Sequence, residues 1–225
     1  MKFNKNFIGY DRPNDALVKD GIIFKYNNFG HRCKDVDQID LNNYILFAGC
    51  SHTEGEGLDF PDTYPYITAQ ELQCDYYNLG IPASGFDVLF YNVMTWLHTY
   101  PKPKLLVLQY PDQSRFSTLM SESALVVPYG PWRKTDKDLE FITQGQESGM
   151  FLFRNFTLNK LLSMYIDIPC IRLVFGPTKS YDHRTIRIDR LDYAADGKHY
   201  GVDTHRLCAD IIRDKYQNAI INTTA

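Results

Sequence analysis

The sequence predicts an α/β fold, a three-layer α/β/α sandwich around a parallel sheet of four to five strands. Two observations carry that prediction. Short apolar runs at residues 44–48 and 105–108 lack polar alternation, as strands covered on both faces do. Stretches with apolar residues at helical spacing lie between them, so strand and helix alternate and right-handed crossovers follow. At 225 residues and 44% hydrophobic the chain is long enough to bury one sizeable core, and a single domain over 1–225 is expected.

Residues 1–43 are polar and read as an arm, strand-like only at 21–26, with a turn at Asn28-Phe29-Gly30. The first strand, 44–48, is followed by a turn in which Gly49, Gly55 and Gly57 surround Ser51. A helix starts after Asp59 or Pro61 and runs to about Leu72, with Tyr66, Ala69 and Leu72 on one face. A second strand is expected at 75–79. The helix at 86–99 follows, with Val88, Leu89, Val93, Trp96 and Leu97 recurring at its period. Pro101 and Pro103 introduce the third strand, 105–108.

From 110 to 150 the pattern gives way to prolines, glycines and charges, with one extended piece at 124–127. An irregular insertion of that length is expected over the carboxyl-terminal edge of the sheet, where long loops shape pockets. A helix at 156–165, a fourth strand at 170–175 and a short outer strand at 185–191 come next. An amphipathic helix over 202–216, with Leu207, Ile211 and Ile212 inward, closes the chain. There is no internal repeat.

A formal charge of -3 and the lack of any dense Lys/Arg cluster argue against nucleic acid as a partner. Five cysteines, at 33, 50, 74, 170 and 208, are odd in number and form no CxxC pair. Neither a disulfide framework nor a zinc knuckle is indicated, and free thiols suit a reducing compartment. The amino terminus has no apolar core of signal-peptide length, and no window approaches the roughly 18 apolar residues of a membrane span. No membrane partner, cofactor or metal is therefore expected, and the expected location is cytoplasmic or virion-associated.

Chemistry concentrates in two places. Ser51 stands where the first strand yields to a helix, among backbone NH groups suited to an oxyanion. Asp196 and His199 lie three apart in the loop segment DGKHYGVDTHRLC. Asp196 there can hold the Nδ1 proton of His199 and leave Nε2 to face a nucleophile; the plainer reading is an acidic loop ahead of the last helix. Other candidates have bland alternatives too. Cys50 is a thiol beside the same turn. His52 with Cys50 or Glu54 offers metal-ligand atoms at a spacing more common for solvated residues. Glu54 and Glu56 solvate the loop or favour the helix start. Arg115 is an anion clamp or a surface ion pair. Tyr129 and Trp132 form a sugar-stacking platform or anchor a loop, and Trp96 is core.

Taken together, Gly49-Cys50-Ser51 with Thr53-Glu54-Gly55-Glu56-Gly57-Leu58, and Asp196-Gly197-Lys198-His199 before a helix, resemble the first and last blocks of the SGNH, or GDSL-type, hydrolases. His205 is also at a familiar place, and Asn28-Phe29-Gly30-His31-Arg32 is similar to a segment ahead of the first strand in some members. The resemblance covers about residues 27–109 and 190–217. It implies a flavodoxin-like sandwich with Ser51 as nucleophile, His199 as base and Asp196 as its orienting partner. It implies an oxyanion hole from the NH groups of Ser51 and Ala83, with Gly85 as the alternative to Ala83, and with Gln113 in the place of the family's third-block asparagine, or Gln109 from the strand end. Cys50 replaces the family's aspartate, Ala83 its glycine, and the Gly-x-Asn-Asp block is missing; losing one oxyanion donor costs hydrolases roughly 100- to 1000-fold in turnover. The implied function is hydrolysis of small-molecule or glycan carboxylic esters, O-acetyl groups included. An O-acyltransferase on the same residues and a catalytically silent binding protein are the alternatives.

Overall fold

A computed structural model describes residues 1–4, 6–11, 13–120, 125–132, 135–176 and 184–224. In chain order the elements are β1 (Lys2–Asn4), β2 (Phe7–Gly9), β3 (Ala16–Lys19), β4 (Ile22–Lys25), β5 (Tyr44–Ala48), α1 (Ser51–Glu54), α2 (Tyr64–Glu71), β6 (Asp75–Asn78), α3 (Phe86–Thr99) and β7 (Leu105–Tyr110). The second half adds β8 (Phe116–Met120), β9 (Leu125–Tyr129), α4 (Asp136–Glu147), α5 (Met150–Tyr165), β10 (Cys170–Phe175), β11 (Ile186–Ile188) and α6 (Val202–Thr224).

Five strands, in the order β11-β10-β7-β5-β6, form one parallel sheet. Counting only these strands along the chain, the order is 2-1-3-4-5, the flavodoxin-like winding, whose direction reverses between β5 and β7. Ligand crevices in such sheets open at the carboxyl ends of the strands on either side of that reversal. Alternation along β5 divides the core. Tyr44, Leu46 and Ala48 pack with α3 and α5 through Leu89, Val93, Trp96 and Leu162, all buried. Ile45 and Phe47 face the other layer, where Tyr64 of α2 and Cys208, Ala209 and Ile212 of α6 cover them. Burying each such side chain contributes about 1.5–3 kcal/mol, and Trp96 also donates its indole NH to Tyr44 Oη at 2.9 Å.

The arm and the insertion are more regular than their sequences suggest. β1 and β2 pair with each other, β8 pairs with β9, and β1 touches β9 at Lys2 and Leu125, giving an antiparallel sheet β2-β1-β9-β8. β3 and β4 form a separate hairpin. Three-residue strands are too short to show alternation, and Pro128 in β9 argues against a strand when read alone. α4 is polar along most of its length and contains Gly145, which hides it from a periodicity search; Thr135 caps it by accepting the NH of Asp138 at 3.2 Å. The insertion leaves the sheet at the carboxyl end of β7 and rests on the start of α3, where Ser117 donates its NH to Asp87 Oδ2 at 2.6 Å. α5 begins six residues before the expected helix and α6 continues eight residues beyond its expected end. All five cysteines are free. No helix among the described residues is long and apolar enough to cross a membrane.

Candidate active site

β5 ends at Ala48, and two residues later the chain enters α1 with Ser51 as its first residue. The turn between them is braced from beneath by Gln109 on β7. Its Oε1 accepts the NH of Cys50 at 2.9 Å, the thiol of Cys50 at 3.1 Å and the hydroxyl of Thr53 at 3.2 Å, while its Nε2 donates to the carbonyl of Tyr110 at 2.7 Å. Gly49 is required by this contact, since a Cβ there would lie 2.7 Å from Gln109 Oε1 and 2.0 Å from Thr53 Oγ1. The thiol of Cys50, 1% exposed, is thus turned into the sheet rather than toward a substrate.

Arg32 holds the same turn from the arm side. Its guanidinium donates to the carbonyls of Gly55 at 2.7 Å, Leu58 at 2.8 Å and Glu54 at 3.3 Å, and lies 4.1 Å from the ring centre of Phe24. The turn that delivers Arg32 is organised by Asn27, whose Oδ1 accepts the NH groups of Phe29 and His31. The asparagine that matters in the arm motif is therefore Asn27, one residue before the one the sequence suggested.

From the other end of the chain, the loop before α6 folds back on itself. Asp196 Oδ1 accepts the NH groups of Lys198 and His199, both at 3.0 Å, and its Oδ2 lies 2.5 Å from His199 Nδ1. The opposite ring nitrogen, Nε2, is 2.9 Å from Ser51 Oγ across 148 positions of sequence. Gly57, at φ 81°, is the point of contact between the two segments. A Cβ there would come 2.8 Å from that of Ala194, and the Gly57 carbonyl accepts the NH of Ala195 at 3.1 Å. Burial alone would raise the Asp196 pKa; hydrogen bonds from the His199 ring and from the NH groups of His199 and Lys198 outweigh it and hold the carboxyl at about 2.

The turn after β6 supplies the facing wall. Asn78 Nδ2 donates to the carbonyl of Thr53 at 2.8 Å, and Ile81 NH and Ser84 Oγ both reach the carbonyl of Gly49 at 3.2 Å. Ala83 lies in this turn at φ 61°, a left-handed conformation in which glycine is at ease and alanine is strained. Among the described residues, neither the NH of Ser51 nor that of Ala83 donates a hydrogen bond. Gln113 is tied by its main-chain carbonyl to Asn155 Nδ2 on α5 at 2.9 Å. Gln109, the alternative third donor, is committed to the Ser51 turn.

Several other candidates prove to be packing. His52 stacks on Phe175 at 4.8 Å between ring centres and also packs on Tyr200. Burial, followed by the positive potential of His199, His205 and Arg115, lowers its pKa well below the ordinary value. It does not join Cys50 or Glu54 as a ligand set. His205 accepts the NH of Tyr64 at 3.0 Å and so caps α2; burial pushes its pKa down to about 3. Tyr129 stacks on Phe116 and anchors the insertion, whereas Trp132 keeps 40% of its surface exposed. Arg115 lies over that indole at 5.0 Å, and among the described residues it forms no ion pair and its Nε and Nη1 have no hydrogen-bond partner.

Glu56, read from the sequence as solvating the loop or favouring the helix start, instead faces the His199 ring. Its Oε2 lies 3.4 Å from His199 Nε2, and its other oxygen meets Lys19 Nζ at the end of β3. Glu56, Asp196 and His199 are also a group of ligand-type side chains whose donor atoms lie within 4.8 Å of one another, although the Asp196–His199 hydrogen bond already engages two of those atoms.

No protein-family model matches the chain, and no curated protein matches it either. Solved structures do resemble it. An acetyl xylan esterase from Butyrivibrio proteoclasticus superposes with a TM-score of 0.47 at 14% identity over 79% of this chain. A family two carbohydrate esterase from Clostridium thermocellum, solved with cellohexaose, gives 0.46 at 14% identity, also over 79% of this chain. The chain spans 64% of the length of each of those esterases. A member of the lipolytic protein G-D-S-L family from Veillonella parvula gives 0.38 at 12% identity, over 74% of this chain and 93% of its own.

Proposed function

We propose that this chain is a serine hydrolase of carboxylic esters, of SGNH type, working through Ser51, His199 and Asp196. The observation that carries the proposal is the 2.9 Å approach of His199 Nε2 to Ser51 Oγ, with the other ring nitrogen held 2.5 Å from Asp196. An ionised Asp196 fixes the proton on Nδ1, so Nε2 presents its lone pair to the serine hydroxyl. Ser51 Oγ then attacks the ester carbonyl as Nε2 takes its proton. Negative charge on the carbonyl oxygen is accepted by the free NH groups of Ser51 and Ala83, with Gln113 as third donor. Collapse of the tetrahedral intermediate breaks the bond to the alcohol, which leaves with the proton from Nε2. Water repeats the sequence on the acyl-enzyme, releasing the carboxylic acid and restoring Ser51.

The substrate class we assign is a glycan O-acetyl ester, a reading supported by Trp132, which keeps 40% of its surface exposed although Arg115 lies over its ring, and so offers aromatic surface to a sugar. Fluorophosphonate labelling tests the nucleophile. A stoichiometric adduct on Ser51, absent in Ser51→Ala, together with p-nitrophenyl acetate turnover lost in the same variant, is the expected result. No adduct on the folded protein would leave the chain as a silent binding protein. Partition of the acyl group to added sugar alcohols in preference to water would instead make it an acyltransferase.

A further inference from the structure

A cavity of about 220 Å³ lies between the β3–β4 hairpin and the nucleophile turn. Leu17 and Phe24 of the hairpin and Pro82 form apolar walls, while Lys19, Glu54 and Glu56 supply its charged groups. The cavity adjoins the candidate active site on two sides. Glu56 is the residue 3.4 Å from His199 Nε2, and Pro82 directly precedes Ala83. Its volume corresponds to roughly seven water molecules in the liquid and is below the roughly 300–1,000 Å³ of sites for drug-sized ligands. A single ring or short chain fits that space; an oligomer does not.

Glu54 gives the cavity its chemistry. The residue is 1% exposed, one helical turn past Ser51. Oε1 accepts the hydroxyl of Tyr26 at 2.8 Å, and Oε2 has no hydrogen-bond partner among the described residues. Arg32, the nearby cation, gives Nη1 and Nη2 to three backbone carbonyls, and its Nε, like Glu54 Oε2, has no hydrogen-bond partner among the described residues. A buried acceptor left unpaired is a standing cost that a donor from a ligand removes. Arg32 already contributes positive charge beside this carboxylate, and Lys19 occupies Glu56 at the hairpin edge. A second cation would be desolvated between them, so a neutral hydroxyl is the better complement.

We propose that this cavity binds a hydroxyl-bearing ring of the substrate, a single sugar unit, with its C–H face against Leu17, Phe24 and Pro82 and one hydroxyl donating to the Glu54 carboxylate, whose Oε2 is covered in the free protein and turns toward the cavity to accept it. Calling it a substrate subsite rests on the hydrolase proposal above; the binding itself does not. The β3–β4 hairpin of the arm, rather than the insertion alone, then selects the substrate.

Two measurements test this separately from catalysis. In the first, kcat/KM is compared for a monoacetate of methyl β-D-glucopyranoside and for cyclohexyl acetate, which has the ring without the hydroxyls. The ratio should favour the glucoside and fall at least tenfold in Leu17→Trp, which fills the cavity, and in Glu54→Gln, which places a donor where the acceptor was. In the second, saturation-transfer NMR follows methyl β-D-glucopyranoside against Ser51→Ala protein, with cyclohexanol as the control. Signal for the glucoside alone, lost when Leu17→Trp is added, is expected even if no ester is ever turned over. In that event the hydrolase proposal fails and the subsite stands. A glucoside signal absent from the parent, equal for cyclohexanol, or unchanged by Leu17→Trp in a protein with parental circular dichroism overturns the subsite, as does an unchanged kcat/KM ratio.

Discussion

Gln109 Oε1 accepts the main-chain NH of Cys50 at 2.9 Å, so the residue next to Ser51 is fastened to the neighbouring strand by a side chain. The same oxygen serves Thr53, and both partners are buried. Replacing Gln109 by leucine keeps the volume and leaves these donors unpaired. We expect Gln109→Leu to lower unfolding free energy by about 1–3 kcal/mol, read from the urea midpoint. Because the turn that carries the proposed nucleophile Ser51 loses its brace, kcat for p-nitrophenyl acetate should fall on the order of 100-fold with little change in KM.

Ala83 holds a left-handed conformation at φ 61° in the turn proposed to cradle the oxyanion. Alanine bears a strain of about 1–2 kcal/mol there, which glycine avoids while making the unfolded chain more flexible by about 0.4–1 kcal/mol. Ala83→Gly should therefore leave stability equal or up to about 1 kcal/mol higher, with turnover retained. Ala83→Val adds a β-branch where positive φ is poorly tolerated; its urea midpoint and its kcat should both drop. Retained kcat in Ala83→Val would argue against an oxyanion role for this turn.

The parallel core was legible because its signal is local. Uninterrupted apolar runs at 44–48 and 105–108 can be satisfied only between two covering layers, and they mark two of the five strands of the main sheet. Ser51, Asp196 and His199 were legible as a spacing and are brought together by the fold. What remained hidden depends on partners distant in sequence. β1 and β2 are strands because they pair with each other and meet β9, a fact not written in three residues. Arg32 and Gln109 act on backbone groups of another segment, and backbone groups leave no residue-type signal at the other end. Glu56 matters through its distance to a ring 143 positions away, and Lys19 through Glu56.

Glu54 should impose a stability change with pH. Burial raises its pKa from 4.5 to about 7, against the opposing effects of Arg32 and of the hydrogen bond from Tyr26. The folded state then binds this proton more tightly than the unfolded state. Stability from this group is greatest below about pH 4.5 and is lost as pH rises to 7, by roughly 3 kcal/mol in all. Glutamine has the same shape and no charge to bury. Glu54→Gln should match the parent in urea unfolding at pH 4.5 and exceed it by up to about 3 kcal/mol at pH 8. A difference independent of pH would mean that the carboxyl does not titrate in this range.

Asp196→Asn separates orientation from mere contact. Asp196 Oδ1 accepts two main-chain NH groups, from Lys198 and His199, each at 3.0 Å. An asparagine must place its oxygen there, which turns its NH₂ toward His199 Nδ1. That nitrogen becomes an acceptor, and the ring proton moves to Nε2, where it faces Ser51 and removes the base. We expect kcat to fall about 10³- to 10⁴-fold, a loss typical of a mis-set tautomer in a serine hydrolase, with the backbone loop preserved. The ¹⁵N shifts of the His199 ring provide the independent readout, Nδ1 moving to the unprotonated range and Nε2 to the protonated one. In the parent, with the Asp196 carboxyl held at about 2, protonation of this group should not limit kcat/KM anywhere above about pH 3. An acid limb that shifts by less than 0.2 units between parent and Asp196→Glu would fit; full activity in Asp196→Asn would show that His199 does not take its proton from Ser51.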